Sequence, residues 1–212
     1  PSTFESLRKQ VKSGLNMAMC GIPWWTTDIG GFYGGDIESD EFRELIVRWF
    51  QYGVFCPVFR LHGSRNGHDR TRDSSEPSGG DNELWSFGDR DYEILRDLVF
   101  LRERLRPYIH DQMAIASKDG VPVMRPLIFD WPEDETCTSI GDEFLFGDDI
   151  LFAPIVNQGE TSRRVYLPAG EWVFARDGKE YAGGQWITCT AELNEFIAFV
   201  KKGASVLSAF QA

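Results

Sequence analysis

Met17-Ala18-Met19-Cys20-Gly21-Ile22-Pro23-Trp24-Trp25-Thr26-Thr27-Asp28-Ile29-Gly30-Gly31-Phe32 decides how the first half of the chain is read. A short apolar run ends in a loop rich in glycine and aromatics, with a carboxylate at its mouth. The run Met17–Ile22 suits a buried strand. It follows Phe4, Leu7, Val11 and Leu15, which lie at helical spacing over residues 3–16, with Ser2 and Glu5 in the capping-box relation. The pattern repeats one unit later. Phe42, Leu45, Ile46, Trp49 and Phe50 mark a second amphipathic helix, and Val54–Leu61 a second apolar run ending at His62-Gly63. A third helix is predicted over 91–117, with Pro107 placed to kink it.

Helix, buried strand, loop, helix, buried strand, loop, helix is the grammar of βα units with parallel strands. Asp28 and His62 each lie just past a predicted strand and are 34 positions apart. A (β/α)8 barrel of roughly 250 residues has about 30 per unit, so both side chains are expected on one rim. After residue 118 the grammar changes. Val121–Phe129, Phe144–Phe146, Ile150–Val156, Arg164–Leu167, Trp172–Ala175, Gln185–Thr190 and Phe196–Val200 read as short strands separated by Gly, Asp and Asn turns. The expected fold class is therefore α/β plus all-β: residues 1–118 as the C-terminal portion of a (β/α)8 TIM barrel, and 119–212 as a β-sandwich domain.

Composition narrows the function. A net charge of −11 argues against nucleic acid and against an anionic membrane surface, since both call for a basic footprint. No apolar run reaches the length of a membrane span. Cys20, Cys56, Cys137 and Cys189 share no C-x-x-C spacing, and His62, His68 and His110 have no ligand spacing, so no metal is expected. Cys20 and Cys56 sit in apolar runs and read as buried. No phosphate or dinucleotide motif is present, and no cofactor is expected. The cysteines do not fix the compartment, and a second copy of the chain stays open as a partner.

Several stretches carry a resemblance. Trp25–Phe32 and Phe59-Arg60-Leu61-His62-Gly63 resemble signatures of glycoside hydrolase family 31. Met124-Arg125-Pro126, Phe146-Gly147-Asp148 and Tyr166–Trp172 resemble the proximal β domain of that family, in the same order. Trp24-Trp25 and Glu83–Gly88 look like its α-xylosidase and α-glucosidase branch. The resemblance implies a retaining mechanism with two aspartates. The nucleophile motif, Lys-x-Asp-x-x-Glu-like, is not found here. The acid/base motif, Trp-x-Gly-Asp-like, is expected upstream of Pro1, and Trp85–Asp89 echoes it at the wrong spacing. The chain is thus expected to need the missing N-terminal part of the same protein and to be inert alone.

The resemblance implies that Asp28 accepts hydroxyl hydrogen bonds from an oligosaccharide or α-glycoside substrate, and that His62 bonds the same sugar. Trp24, Trp25 and Phe32 would offer apolar faces to the pyranose. Without it, Asp28 before Gly-Gly is a turn residue and His62 a structural histidine. One of the two adjacent tryptophans is expected to face the core. Arg60 either contacts sugar or pairs with a carboxylate. Arg65 and His68 read as solvated loop residues, Asp148 and Asp149 as turn residues, His110 as structural. The parent activity would be release of terminal α-linked xylose, with α-linked glucose as the alternative. A non-catalytic carbohydrate-binding module and a structural fragment are the rivals. A barrel half lacking its neighbours is expected to be unstable or self-associating.

Overall fold

A computed structural model describes residues 1–65 and 80–211. His68 lies outside the described residues, as does most of the polar stretch around it. The helical half comprises α1 (Phe4–Met19), α2 (Asp40–Val54), α3 (Asp89–Arg104) and α4 (Arg106–Asp119). Thr3, not Ser2, caps α1: its Oγ1 accepts the Ser6 N–H at 3.1 Å. Ser39 caps α2 by accepting the Phe42 N–H.

The strand predicted at Met17–Ile22 is not there. Met17-Ala18-Met19 are strong helix formers and simply continue α1. The helix stops at Gly21, whose φ of +82° lets its N–H reach the Ala18 carbonyl and the Ile22 N–H reach that of Met17. Cys20, expected in a core, is consequently exposed. The second predicted strand is not formed either, and the extended segment in its place starts later than expected because α2 runs through Val54. Among the described residues no regular strand forms in this half, but Thr26–Ile29 and Val58–Leu61 lie side by side. The Val58 N–H donates to the Trp25 carbonyl at 3.1 Å and the Ile29 N–H to that of Arg60 at 3.3 Å. A parallel bridge between Tyr33 and Ser64 continues the pairing. The third predicted helix is two, meeting at Leu105. Pro107 sits in the first turn of α4, where a missing N–H costs nothing.

The second half is antiparallel. β1 (Met124–Pro126), β2 (Phe144–Phe146), β3 (Ile150–Phe152), β5 (Glu171–Phe174), β6 (Glu180–Ala182) and β8 (Ala198–Lys201) form one sheet in the order β1-β2-β3-β8-β5-β6. β4 (Ser162–Leu167) and β7 (Gln185–Thr190) form a separate ribbon. A short helix, α5 (Glu135–Ser139), and strand β6 were not anticipated. Side chains alternate across the six-stranded sheet. Phe144, Phe146, Ile150, Phe152, Ala198 and Val200 join the core of the helical half. Leu145, Leu151 and Phe199 face the other way, into a second core with Val165, Leu167 and Cys189 of the ribbon. Burial on both faces explains why β2, β3 and β8 read as unbroken apolar runs. The expected sandwich is thus a central sheet between helices and a two-stranded ribbon.

The halves are fastened at α2. Phe55, just past that helix, stacks on Phe152 with ring centroids 4.1 Å apart. Arg48 is buried and donates to the backbone carbonyls of Glu160, Ala191, Glu192 and Glu195 at 3.0–3.2 Å. Gln51, one turn on, donates to those of Leu193 and Glu195. Among the described residues no helix is long and apolar enough to cross a membrane.

Candidate functional site

Alternation along the extended segment Thr27–Ile29 sets the site. Thr27 and Ile29 point inward: Trp49 Nε1 donates to Thr27 Oγ1 at 2.8 Å, and Ile29 packs against Gly53, where a Cβ would lie 2.5 Å from its Cδ1. Asp28 between them points outward and keeps a side-chain exposure of 20%. Arg60, across the parallel pairing, forks onto it. Its Nε donates to Asp28 Oδ1 at 3.1 Å, and its Nη2 closes on the same oxygen. Of the two roles open to Arg60, the carboxylate partner is the one formed. Both contacts fall on Oδ1, so among the described residues Oδ2 is left to accept a further donor.

The chain then turns through Gly30 and Gly31, at φ +83° and +84°, conformations that favour glycine. A Cβ at Gly31 would lie 2.7 Å from the Pro1 carbonyl oxygen. This close approach brings the start of α1 against the turn. Beyond it Phe32 is thrown out to 59% exposure, and its ring meets the exposed His62 edge-on at 5.7 Å. Asp28 and Phe32 line a cleft of about 440 Å³ with Thr3, Lys9, Gln10 and Trp49. The structure thus brings Asp28, Arg60, Phe32 and His62 together.

The tryptophans part company. Trp25 turns inward, donates Nε1 to Tyr52 Oη at 3.0 Å and packs on Gly14 of α1. Trp24 is 53% exposed. Neither lines the cleft. Trp85 is exposed on a 3-10 turn, Leu84–Phe87, leading into α3, and that turn also stands apart from the cleft. His110 is exposed on α4 beside Asp111. Asp148 is a turn residue paired with the buried Arg125 at 3.0 Å.

Arg65 corrects the expectation of a solvated loop residue. It is buried, and its Nη1 donates to the Gly31 carbonyl at 2.7 Å and its Nη2 to that of Ile29 at 2.9 Å. Burial pushes its guanidinium down to about 10, with the charge of Asp28 pulling the other way, so it stays cationic at neutral pH. Arg102 does a related job below the site. It donates to the carbonyls of Val54, Cys56 and Pro57 at 2.6–2.8 Å, supplying from α3 the cation that the last turn of α2 lacks. Neither arginine stands in a recognisable pattern. No group of three His, Cys, Asp or Glu side chains among the described residues converges to hold a metal ion.

A helical half that pairs two parallel extended segments and brings Asp28, His62 and Phe32 close together, joined to an antiparallel domain, has the make-up of one part of a barrel followed by a β domain. Residues 1–112 match the TIM-barrel domain of glycosyl hydrolases family 31, and 120–206 match that family's C-terminal domain. The chain belongs to glycosyl hydrolase family 31. The α-xylosidase of Saccharolobus solfataricus is 34% identical over 202 residues, covering 95% of this chain and 26% of that protein. Alpha-glucosidase 2 of Bacillus thermoamyloliquefaciens is 34% identical over 205 residues, covering 97% of this chain and 24% of that protein. The crystal structure of a family 31 α-xylosidase from a soil metagenome, complexed with xylose, superposes with a TM-score of 0.91 at 46% identity, covering 99% of this chain and 32% of that one. The chain therefore spans about a quarter of the length of these two curated relatives.

Proposed function

We propose that this chain is the recognition end of a retaining, exo-acting α-glycosidase that releases terminal α-linked xylose, with a boundary at 118–122 between its barrel portion and its β domain. The supporting observation is the Asp28–Arg60 pair at the mouth of a cleft shared with Phe32, whose ring touches His62. Arg60 holds the carboxylate in one orientation, and Oδ2 accepts a sugar hydroxyl in a charge-assisted bond. His62 bonds a neighbouring hydroxyl, while the face of Phe32 takes the apolar C–H edge of the ring. Trp24 would reach substrate only beyond this pocket, and Trp25 acts through packing. The two catalytic aspartates of a retaining mechanism belong to other parts of the whole protein. The chemistry asks for no cofactor.

Xylose is favoured by the 46% identity to a structure holding xylose. Glucose is the second reading, because the α-glucosidase relative is as similar in sequence as the α-xylosidase of S. solfataricus. The test is hydrolysis of aryl α-xyloside against aryl α-glucoside by the full-length protein, with the first-formed anomer followed by NMR. Asp28→Asn should lower kcat/KM about 10- to 100-fold, the value of one hydrogen bond to a charged group. Cleavage of neither glycoside, an inverted product, or an Asp28→Asn variant with undiminished kcat/KM would each defeat the proposal.

A further inference from the structure

The turn from Ile29 to Gly34 has an unusual interior. The carbonyl oxygens of Ile29, Gly30, Gly31 and Gly34 all converge on one point, and the guanidinium of Arg65 fills it at 2.7–3.4 Å. Nη1 also donates to Ser2 Oγ at 3.2 Å, and Nε to Asn82 Oδ1 at 2.8 Å. Ser2 Oγ in turn donates to the Gly34 carbonyl at 3.0 Å, closing the ring of contacts at the start of α1. The fit is tight, since a Cβ at Gly30 would lie 2.9 Å from Nη2 and one at Gly63 3.1 Å from it. Four carbonyl dipoles aimed at a common centre repel one another and cannot stay buried without a donor. A planar cation with a fixed fork of N–H groups meets that need; a point charge does not.

The two carbonyls held most closely flank the site residues. Ile29 follows Asp28, and Gly31 precedes Phe32. Arg65 itself is three positions past His62, and between them the Ser64 N–H donates to the Phe32 carbonyl at 2.7 Å. One side chain therefore sets both ends of the turn and the segment bearing the histidine. We propose that Arg65 is a positioning residue of the sugar site: its guanidinium is the template on which the 29–34 turn closes, and it fixes the Asp28 carboxylate and the Phe32 ring relative to His62 without touching substrate.

The inference rests on the α-glycosidase reading for its kinetic consequence, but not for its geometry, and the test separates the two. In the full-length protein, Arg65→Ala should raise KM for the aryl glycoside by about tenfold or more, with a further loss in kcat. Millimolar guanidinium chloride should restore much of the activity, whereas equal sodium chloride or urea should not. Arg65→Lys keeps the charge without the fork; it should stay folded and still show the raised KM, which covers the case in which the alanine variant does not fold. Hydrogen exchange supplies the readout independent of catalysis. Amides of Gly31, Gly34 and Ser64 should exchange about tenfold faster in either variant, while residues 144–152 stay unchanged. Wild-type kinetics in a folded Arg65→Lys protein, or unaltered exchange in the turn, would overturn the positioning role. If the wild type cleaves neither glycoside while the turn still loosens in the variants, the enzymatic reading fails and the clamp stands.

Discussion

Replacing Arg48 by methionine should uncouple the helical half from the β domain. Arg48 is 1% exposed, and its guanidinium satisfies four backbone carbonyls of residues 160–195, besides Gln51 Oε1 on its own helix. Methionine fills most of the volume and supplies no donor. Each buried carbonyl left alone costs about 1–3 kcal/mol, so four set an upper bound of about 4–12 kcal/mol. Two effects reduce it. The variant no longer takes a cation out of water, a gain of several kcal/mol, and some of these carbonyls lie close enough to the surface to be rehydrated. The net loss should be about 3–5 kcal/mol, at the upper end of single substitutions. Urea unfolding of the full protein, followed by fluorescence and by exchange in 185–200, should show the β domain's 191–195 loop opening before the rest. Arg48→Lys should recover about half of the loss. A methionine variant within about 1 kcal/mol of wild type would refute the idea that these hydrogen bonds hold the halves together.

Gly14→Ala should destabilise α1 although alanine is the better helix former by about 1 kcal/mol, because its Cβ would lie 2.6–2.9 Å from the Trp25 indole; overpacking of about 1–3 kcal/mol wins, and a melting scan with tryptophan fluorescence reads it. Thiol titration should distinguish Cys20 from the others: it is exposed, whereas burial pushes Cys56 and Cys137 up to about 12 and Cys189 up to about 11. One fast-reacting thiol is expected in the native state and four in denaturant. Burial pushes Glu143 up to about 8 from its ordinary 4.5, against the pull of Arg163. The native state thus holds a proton that the unfolded chain releases, so this residue's contribution is full below about 4.5 and is lost as pH rises towards 8, by up to about 1.4 kcal/mol per unit. Urea midpoints of wild type and Glu143→Gln across that window should diverge in slope; parallel curves would exclude the effect.

Much of this was legible because period and turn chemistry are local. α2 announces itself through Phe42, Leu45, Ile46, Trp49 and Phe50, and β2, β4, β5, β7 and β8 fall within two residues of the runs that foretold them, whereas β3 ends four residues before the end of the run expected over 150–156. Met17–Ile22 misled because an apolar run of that length fits a helix end as well as a buried strand; Gly21 was the arbiter. The orientation of Trp24 against Trp25 was open at sequence level, and Gly14, eleven positions earlier on another element, decides it by leaving room for the indole. Arg48, Arg65 and Arg102 were opaque for a shared reason. Each is held by backbone carbonyls brought from distant or adjacent turns, and carbonyls are the same in every sequence. What draws those oxygens together is topology, to which no side-chain pattern testifies.

The order β1-β2-β3-β8-β5-β6 has a consequence for how the molecule is made. β8 is the last strand in the chain, yet it sits between β3 and β5, pairing Phe199 with Leu151 on one side and with Phe174 on the other. During synthesis two separate pieces of sheet must therefore wait, each with a bare edge, until residues 198–201 leave the ribosome and close the gap. Nascent chains stalled before that point should be the sticky ones, and chaperones that shield open strands should meet this domain in the interval between the synthesis of β3 and that of β8.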